Sequence, residues 1–221
     1  MTNIIVSYDG TDNDQDALAL GEIFAGAGAS LILAYVRHSR ATGEAERLAE
    51  KDAEALLAEG AASVGKPETP KHVVLSASTP QGLRELAVSE DAEMIVFGSA
   101  YRTTPGYVYP QTSAERLLDG GRTAIALAPA GYRDATSPIT TVASIAEEGD
   151  ASAIDTAEGL ASRFRAEYIG KPNGGGADLL VVGSAPQTAT GQVRVSAAAA
   201  YMIELIRCPV LVLPRGVALT L

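Results

Sequence analysis

The stretch AEMIVFGSAYRTTPGYVYPQTSAERLL, Ala92 to Leu118, decides how this chain folds. Met94 to Gly98 is a short apolar run ending on glycine, the pattern of a buried strand. Ser99 to Pro110 has neither helical nor strand periodicity. Thr112 to Leu118 (TSAERLL) reads as a helix, and its Thr112 to Glu115 spacing suits a capping box. Strand, irregular loop and helix in this order form part of a β-α-β unit.

Outward from this segment the same beat continues. Towards the N-terminus, Asn3 to Asp9 (NIIVSYD) is a strand closed by Gly10-Thr11, followed by a helix from Asp14 to Ala27. Leu31 to Val36 is a second strand, and Glu44 to Ala62 is a helix with Leu48, Ala55 and Leu56 on one face. His72 to Leu75 is a third strand, with Thr79 as N-cap, Pro80 at the first helical position and Leu83 to Val88 as helix body. Thr123 to Ala128 supplies a fifth strand. Strands alternating with helices, and apolar on both sides, predict an α/β fold: an open, parallel, five-stranded sheet with helices on both faces and right-handed crossovers.

Pro129 to Pro138 is polar and turn-rich, so a linker is expected over residues 131–138. The pattern then returns. A shift of 136 aligns Val6 with Val142, Asp14 with Asp150 and Ala17 with Ala153, while a shift of 85 aligns Val96 with Val181 and Gly98-Ser99-Ala100 with Gly183-Ser184-Ala185. The two shifts differ by 51 residues, the length missing between the strands near Glu167 to Ile169 and Leu179 to Val182, where Lys171 to Gly176 bridges the gap. The expected organisation is a first domain over 1–130 and a truncated copy over 139–216, packed as an intramolecular pseudo-dimer. The fifth strand and Pro209 to Leu213 are the edges expected to pair.

Composition narrows the function. The chain has 221 residues, 47% hydrophobic and 20% charged, with a formal net charge of −10. The acidic balance and the lack of a local Lys/Arg cluster argue against nucleic acid as a partner. No apolar run is long enough for a membrane span, and no leader pattern opens the sequence. One cysteine, Cys208, allows no internal disulfide, and no Cys/His spacing suggests a metal site. A cytoplasmic location is the expectation. His38 and His72 lie apart without a nucleophile motif, so no catalytic residue is assigned.

The opening Ile4 to Thr11, the block Ala92 to Leu118, and in the second half Ala177 to Ser184 and Arg207 to Leu213 resemble the universal stress protein family, here as a tandem pair. The resemblance implies an adenine nucleotide alpha hydrolase-like fold and a stress-response binding module. Nucleotide-binding members carry Gly-x-x-Gly, nine residues, then Gly-Ser/Thr, a loop whose glycines let backbone N–H groups approach phosphates. This chain has Gly98, then Tyr101 in place of the second glycine and Gln111-Thr112 at the closing pair; its second half has Gly183, Pro186 and Ser196-Ala197. The family's acid after the first strand matches Asp9 in the first half and Ile145 in the second.

The resemblance therefore implies a cofactor pocket in the first half, formed by Asp9, Gly10, Val36, Gly98, Ser99 and Thr112, with Arg102 and Arg116 nearby in sequence. ATP with Mg²⁺ is the implied ligand, and none is expected if the altered loop has closed the site. Each residue also has an ordinary role: Asp9 in a turn, Thr112 as N-cap, Gly98 as strand exit. Tyr101, Tyr107 and Tyr109 either stack on a ligand or fill the emptied cleft, and filling is the reading preferred. Cys208 is expected to be packing. Two further readings stand beside the nucleotide-binding module. One is a degenerate scaffold acting through protein contacts or a homodimer; the other is a weak ATP hydrolase, for which Asp9 is the one obvious carboxylate.

Overall fold

The computed structural model describes residues 2–38, 44–135, 137–172 and 176–221. Its strands are the apolar runs whose side chains find cover on both faces. They are β1 (Asn3–Ser7), β2 (Ser30–Arg37), β3 (Lys71–Leu75), β4 (Ala92–Gly98), β5 (Ala124–Ala128), β6 (Thr141–Ile145), β7 (Glu167–Tyr168), β8 (Leu179–Val182) and β9 (Val210–Val212). The helices are α1 (Asp12–Gly26), α2 (Glu44–Ser63), α3 (Thr79–Ser89), α4 (Thr112–Leu118), α5 (Ser152–Phe164) and α6 (Ala197–Leu205).

The fold is α/β with a parallel-dominated sheet, but the sheet has nine strands, not five. Its order is β3-β2-β1-β4-β5-β9-β8-β6-β7. Every neighbouring pair is parallel except β5 and β9, which meet antiparallel with Ile125 opposite Val212 and Leu127 opposite Val210. All five residues of β5 are buried, so its unpaired edge would expose apolar strand to water. Pairing with β9 removes that edge and fuses two sets of strands into one sheet.

From the β5–β9 pair outwards the order reads β4, β1, β2 on one side and β8, β6, β7 on the other. The registers match as well. Ile4 lies opposite Met94 and Val142 opposite Leu179, so β1 corresponds to β6 with a shift of 138 when β4 corresponds to β8 with a shift of 85. The expected alignment of Val6 with Val142 is thus displaced by two residues, a slip that alternation along a fully buried strand cannot detect.

Two apolar layers sandwich the sheet. One joins Phe24, Leu57, Leu160 and Tyr132 to one face, and the other joins Leu83, Leu117, Ile203 and Cys208 to the opposite face. Three local expectations are corrected. The α3 cap is Ser78, whose hydroxyl accepts from Gln81 N–H, because the Thr79 hydroxyl is bonded to His38 Nε2 at 3.0 Å. The α4 cap is Gln111, whose carbonyl accepts from Glu115 N–H at 2.9 Å, which leaves Thr112 inside the helix and exposed. On α2 the buried face is Ala53, Leu57, Gly60 and Ala61; Ala55 is exposed, and the Leu48 side chain lies outside the described residues. The linker is also docked: Tyr132 is buried, and Gly131 and Arg133 donate N–H bonds of 2.8 and 3.0 Å to the Asp16 carboxylate of α1. Residues 173–175 of the expected bridge lie outside the described residues.

Candidate functional site

The chain runs β1, β2, β3 in one direction, then returns to lay β4 and β5 on the other side of β1. The crossovers that follow β1 and β4 leave on opposite faces of the sheet, and the carboxyl ends at such a reversal are the general ligand position of these sheets. Ser7 pairs with Ala34 and Val6 with Val96. Asp9-Gly10, Val36 and Gly98-Ser99, each two to four residues further along, therefore share that edge. A bridge between Ser99 and Pro110 brings the chain back, so Thr112 starts α4 nearby.

At Asp9 the geometry is acidic. Asp9 Oδ1 accepts from Thr11 N–H at 3.2 Å, and Asp9 N–H donates to Asp14 Oδ2 at 2.6 Å. Asp14 is 4% exposed, and burial, reinforced by the Asp9 carboxylate, pushes its carboxyl up to about 8. The hydrogen bond with Asp14 holds Asp9 below the usual carboxylate range. At neutral pH the pair thus keeps a proton on Asp14 and a charge on Asp9. Sequence reasoning missed Asp14 and Asp16; the available signal was three acids at alternate positions in the first turns of one helix, since a helix cannot direct all of them to solvent.

Gly10 has φ +84°, and a Cβ there would meet Leu56 Cδ1 of α2 at 2.5 Å, so α2 covers this turn. A Cβ at Gly98 would fall 1.8 Å from the Asn13 carbonyl oxygen. That glycine lets the first turn of α1 lie against β4. Ser99, 1% exposed, donates to Ala128 O at 2.7 Å while Tyr109 N–H donates to its oxygen at 3.2 Å. Its hydroxyl pins the loop to β5. Val36 is half-buried and faces Gly82 of α3.

The tyrosines do not fill the cleft: Tyr101 is 80% exposed and Tyr109 55%. Tyr107 is half-buried under the Arg207 guanidinium, 4.5 Å from its ring centre, and Arg102 stacks on Tyr101 at 5.3 Å. The short loop turns, with bonds such as Thr103 N–H to Ala100 O, direct both rings outward. Cys208 is 4% exposed and burial pushes its thiol up to about 12, an inert state. His38 Nδ1 lies 3.1 Å from Ser76 O, and His72 lies 3.4 Å from Glu90, both structural roles. Among the described residues no cluster of three or more His, Cys, Asp or Glu is arranged to hold a metal.

The same loop chemistry recurs 85 residues later. Ser184 donates to Leu213 O at 2.7 Å, and Arg194 N–H donates to Ser184 at 3.0 Å. Ala100 N–H to Tyr109 O and Gly106 N–H to Ala130 O return as Ala185 N–H to Arg194 O and Gly191 N–H to Arg215 O. Extended beyond the strand, the shift of 138 carries Asp9 onto Glu147 where a shift of 136 carries it onto Ile145. Gly183 has room, since a Cβ there would come no closer than 3.6 Å to Ala153.

Doubly wound β-α topology, a strand-order reversal at β1/β4 and a serine-pinned loop after β4 define the class of doubly wound α/β proteins. The chain belongs to the universal stress protein family, whose pattern matches residues 1–119. Among curated proteins no sequence match is found. A solved universal stress protein from Archaeoglobus fulgidus DSM 4304 is similar in fold, with a TM-score of 0.72 at 12% identity, over 97% of this chain and 98% of that one. A functionally unknown protein from Pseudomonas aeruginosa PAO1 gives 0.65 at 14% identity, over 98% and 93%. No helix among the described residues is long and apolar enough to cross a membrane.

Proposed function

We propose that this chain is a regulatory, non-catalytic binding module of the stress response, acting in the cytoplasm, whose first-half crevice takes the nucleoside end of an adenine nucleotide. The observation that carries this reading is the exposed Asp9 carboxylate just beyond the end of β1, beside the strand-order reversal, held in place by Thr11 N–H. A ribose or adenine offers hydroxyl and amino donors that such an acceptor recognises. The phosphate end is poorly served. Tyr101 and Gln111 stand in place of two loop glycines, and the Ser99 hydroxyl is consumed by the fold. Binding of ATP is therefore expected to gain little from its phosphates, with or without Mg²⁺.

The test is calorimetric titration with adenosine, AMP and ATP–Mg²⁺. Affinities within about threefold of one another, lost in Asp9→Ala, support the reading, since a fully used phosphate loop would add several kcal/mol. ATP binding more than tenfold tighter than adenosine overturns the phosphate argument. Flat heats for all three favour the second reading, a scaffold acting through protein contacts, which Tyr101 and Gln111 in place of the loop glycines also support. Sustained ATP turnover lost in Asp9→Ala would instead favour a weak hydrolase.

The second half reads as a shortened copy of the first. Its support is the recurrence of the serine-pinned loop at a constant spacing and the mirrored strand order about β5 and β9. On this reading the domains are 1–130 and 139–216, and the chain is its own pseudo-dimer.

A further inference from the structure

A cleft of about 500 Å³ lies between α4 and α6, over the β5–β9 pair, and Asp9, Gly10, Val36, Gly98, Ser99 and Thr112 do not line it. That volume suits a small organic ligand. Residues 85 apart in the chain line both of its walls: Pro110 and Val195, Leu118 and Ile203, Asp119 and Glu204. The walls are apolar, with the buried Leu127 of β5 as floor.

The rim is charged in one sense only. Arg194 is neutralised by Asp119 at 3.0 Å, and a backbone bridge between the same two residues ties the walls together at that end. Glu115 and Glu204 form no ion pair with the described residues, and both line the cleft. Tyr109, 55% exposed, completes the rim. Its neighbours Tyr101 and Tyr107 each carry an arginine on the ring, whereas Tyr109 presents its own without one. An apolar slot with two unpaired carboxylates and an aromatic face is complementary to an ammonium group on an apolar body. A carboxylate or phosphate ligand would meet both glutamates in a chain of net charge −10. The bridged end favours a small molecule over an extended peptide, which needs an open groove.

We infer that this cleft binds an amphiphilic organic cation, with its ammonium at Glu115, Glu204 and Tyr109 and its apolar body between Leu118 and Ile203. The inference is independent of any nucleotide at the β1/β4 crevice.

The experiment titrates the whole protein with 1-naphthylmethylammonium and with 1-naphthylacetate, by calorimetry and by amide chemical-shift mapping. The cation is expected to bind at least tenfold more tightly than the anion, with shifts centred on α4 and α6 and weakening at high salt. The double variant Glu115→Gln/Glu204→Gln should lose about five- to tenfold in affinity for the cation and none for the anion. Ala200→Phe, at an exposed position lining the cleft, should abolish binding of the cation while the thermal midpoint stays close to wild type. Equal affinity for the two probes, cation binding that survives Ala200→Phe, shifts centred elsewhere, or no binding by the folded protein would each overturn the inference.

Discussion

At the residue scale, the Asp9–Asp14 pair makes stability depend on pH in an unusual direction. Unfolded, Asp14 titrates near 3.8; folded, burial and the neighbouring Asp9 push it up to about 8. The native state therefore holds a proton that the unfolded chain releases, and raising pH through this window favours unfolding. Asp14's contribution is fully present below about pH 4 and is lost as pH rises through about 8. Asp9 works oppositely and only at acid pH, because its folded value is lowered. The expected outcome is that urea stability of wild type falls between pH 5 and pH 8 relative to Asp14→Asn, which cannot ionise and can still accept from Asp9 N–H. Parallel profiles for the two proteins would refute a proton on Asp14. Only Asp9 of this pair was legible in the sequence. Its place after a strand and before Gly-Thr is local information, whereas the burial of Asp14 depends on how α1 lies against β4.

At the element scale, β5 is the critical strand. It pairs with β4 on one side and β9 on the other, and every one of its residues is buried. A fragment ending at residue 135 keeps the contiguous parallel set β3-β2-β1-β4-β5 but exposes β5 along its whole length. Such an edge invites antiparallel pairing with a second copy, the arrangement β9 supplies within the chain. Sedimentation should therefore find the fragment dimeric or larger with increasing concentration, while the full chain does not form this contact. A fragment that stays monomeric throughout would show that β5 tolerates an open edge. Strands and helices themselves are readable from apolar runs and turn residues, and the spans of α4 and β8 are those expected. The caps of α3 and α4 sit one residue before the expected positions, since Ser78 and Gln111 are fixed by contacts such as His38 with Thr79 that periodicity does not contain.

At the scale of the whole molecule, one sheet runs through both halves, and the tail closes the structure. Thr2 donates to Thr220 O at 2.6 Å, Leu219 N–H donates to Thr156, and Leu219 and Leu221 are buried in the same apolar layer as Ile4 and Phe24. Neither half can unfold without uncovering the other's strand edge and apolar face. Urea unfolding followed by circular dichroism and by tyrosine fluorescence is therefore expected to give one coincident transition. Two separated transitions would mean that the β5–β9 seam is weaker than the halves it joins.

The sequence by itself determined the α/β class, the alternation of strands and helices, and the family. Those properties are local or repeat at fixed spacing, so they survive without knowledge of contacts. Only the tertiary structure decided that nine strands make one sheet and that Gly98 receives a helix backbone. It also decided that Tyr101 and Tyr109 are exposed and that a cleft opens between α4 and α6. Each depends on which surfaces residues far apart in the chain bring together, and an apolar strand buried on both faces carries no mark of its partner or its register.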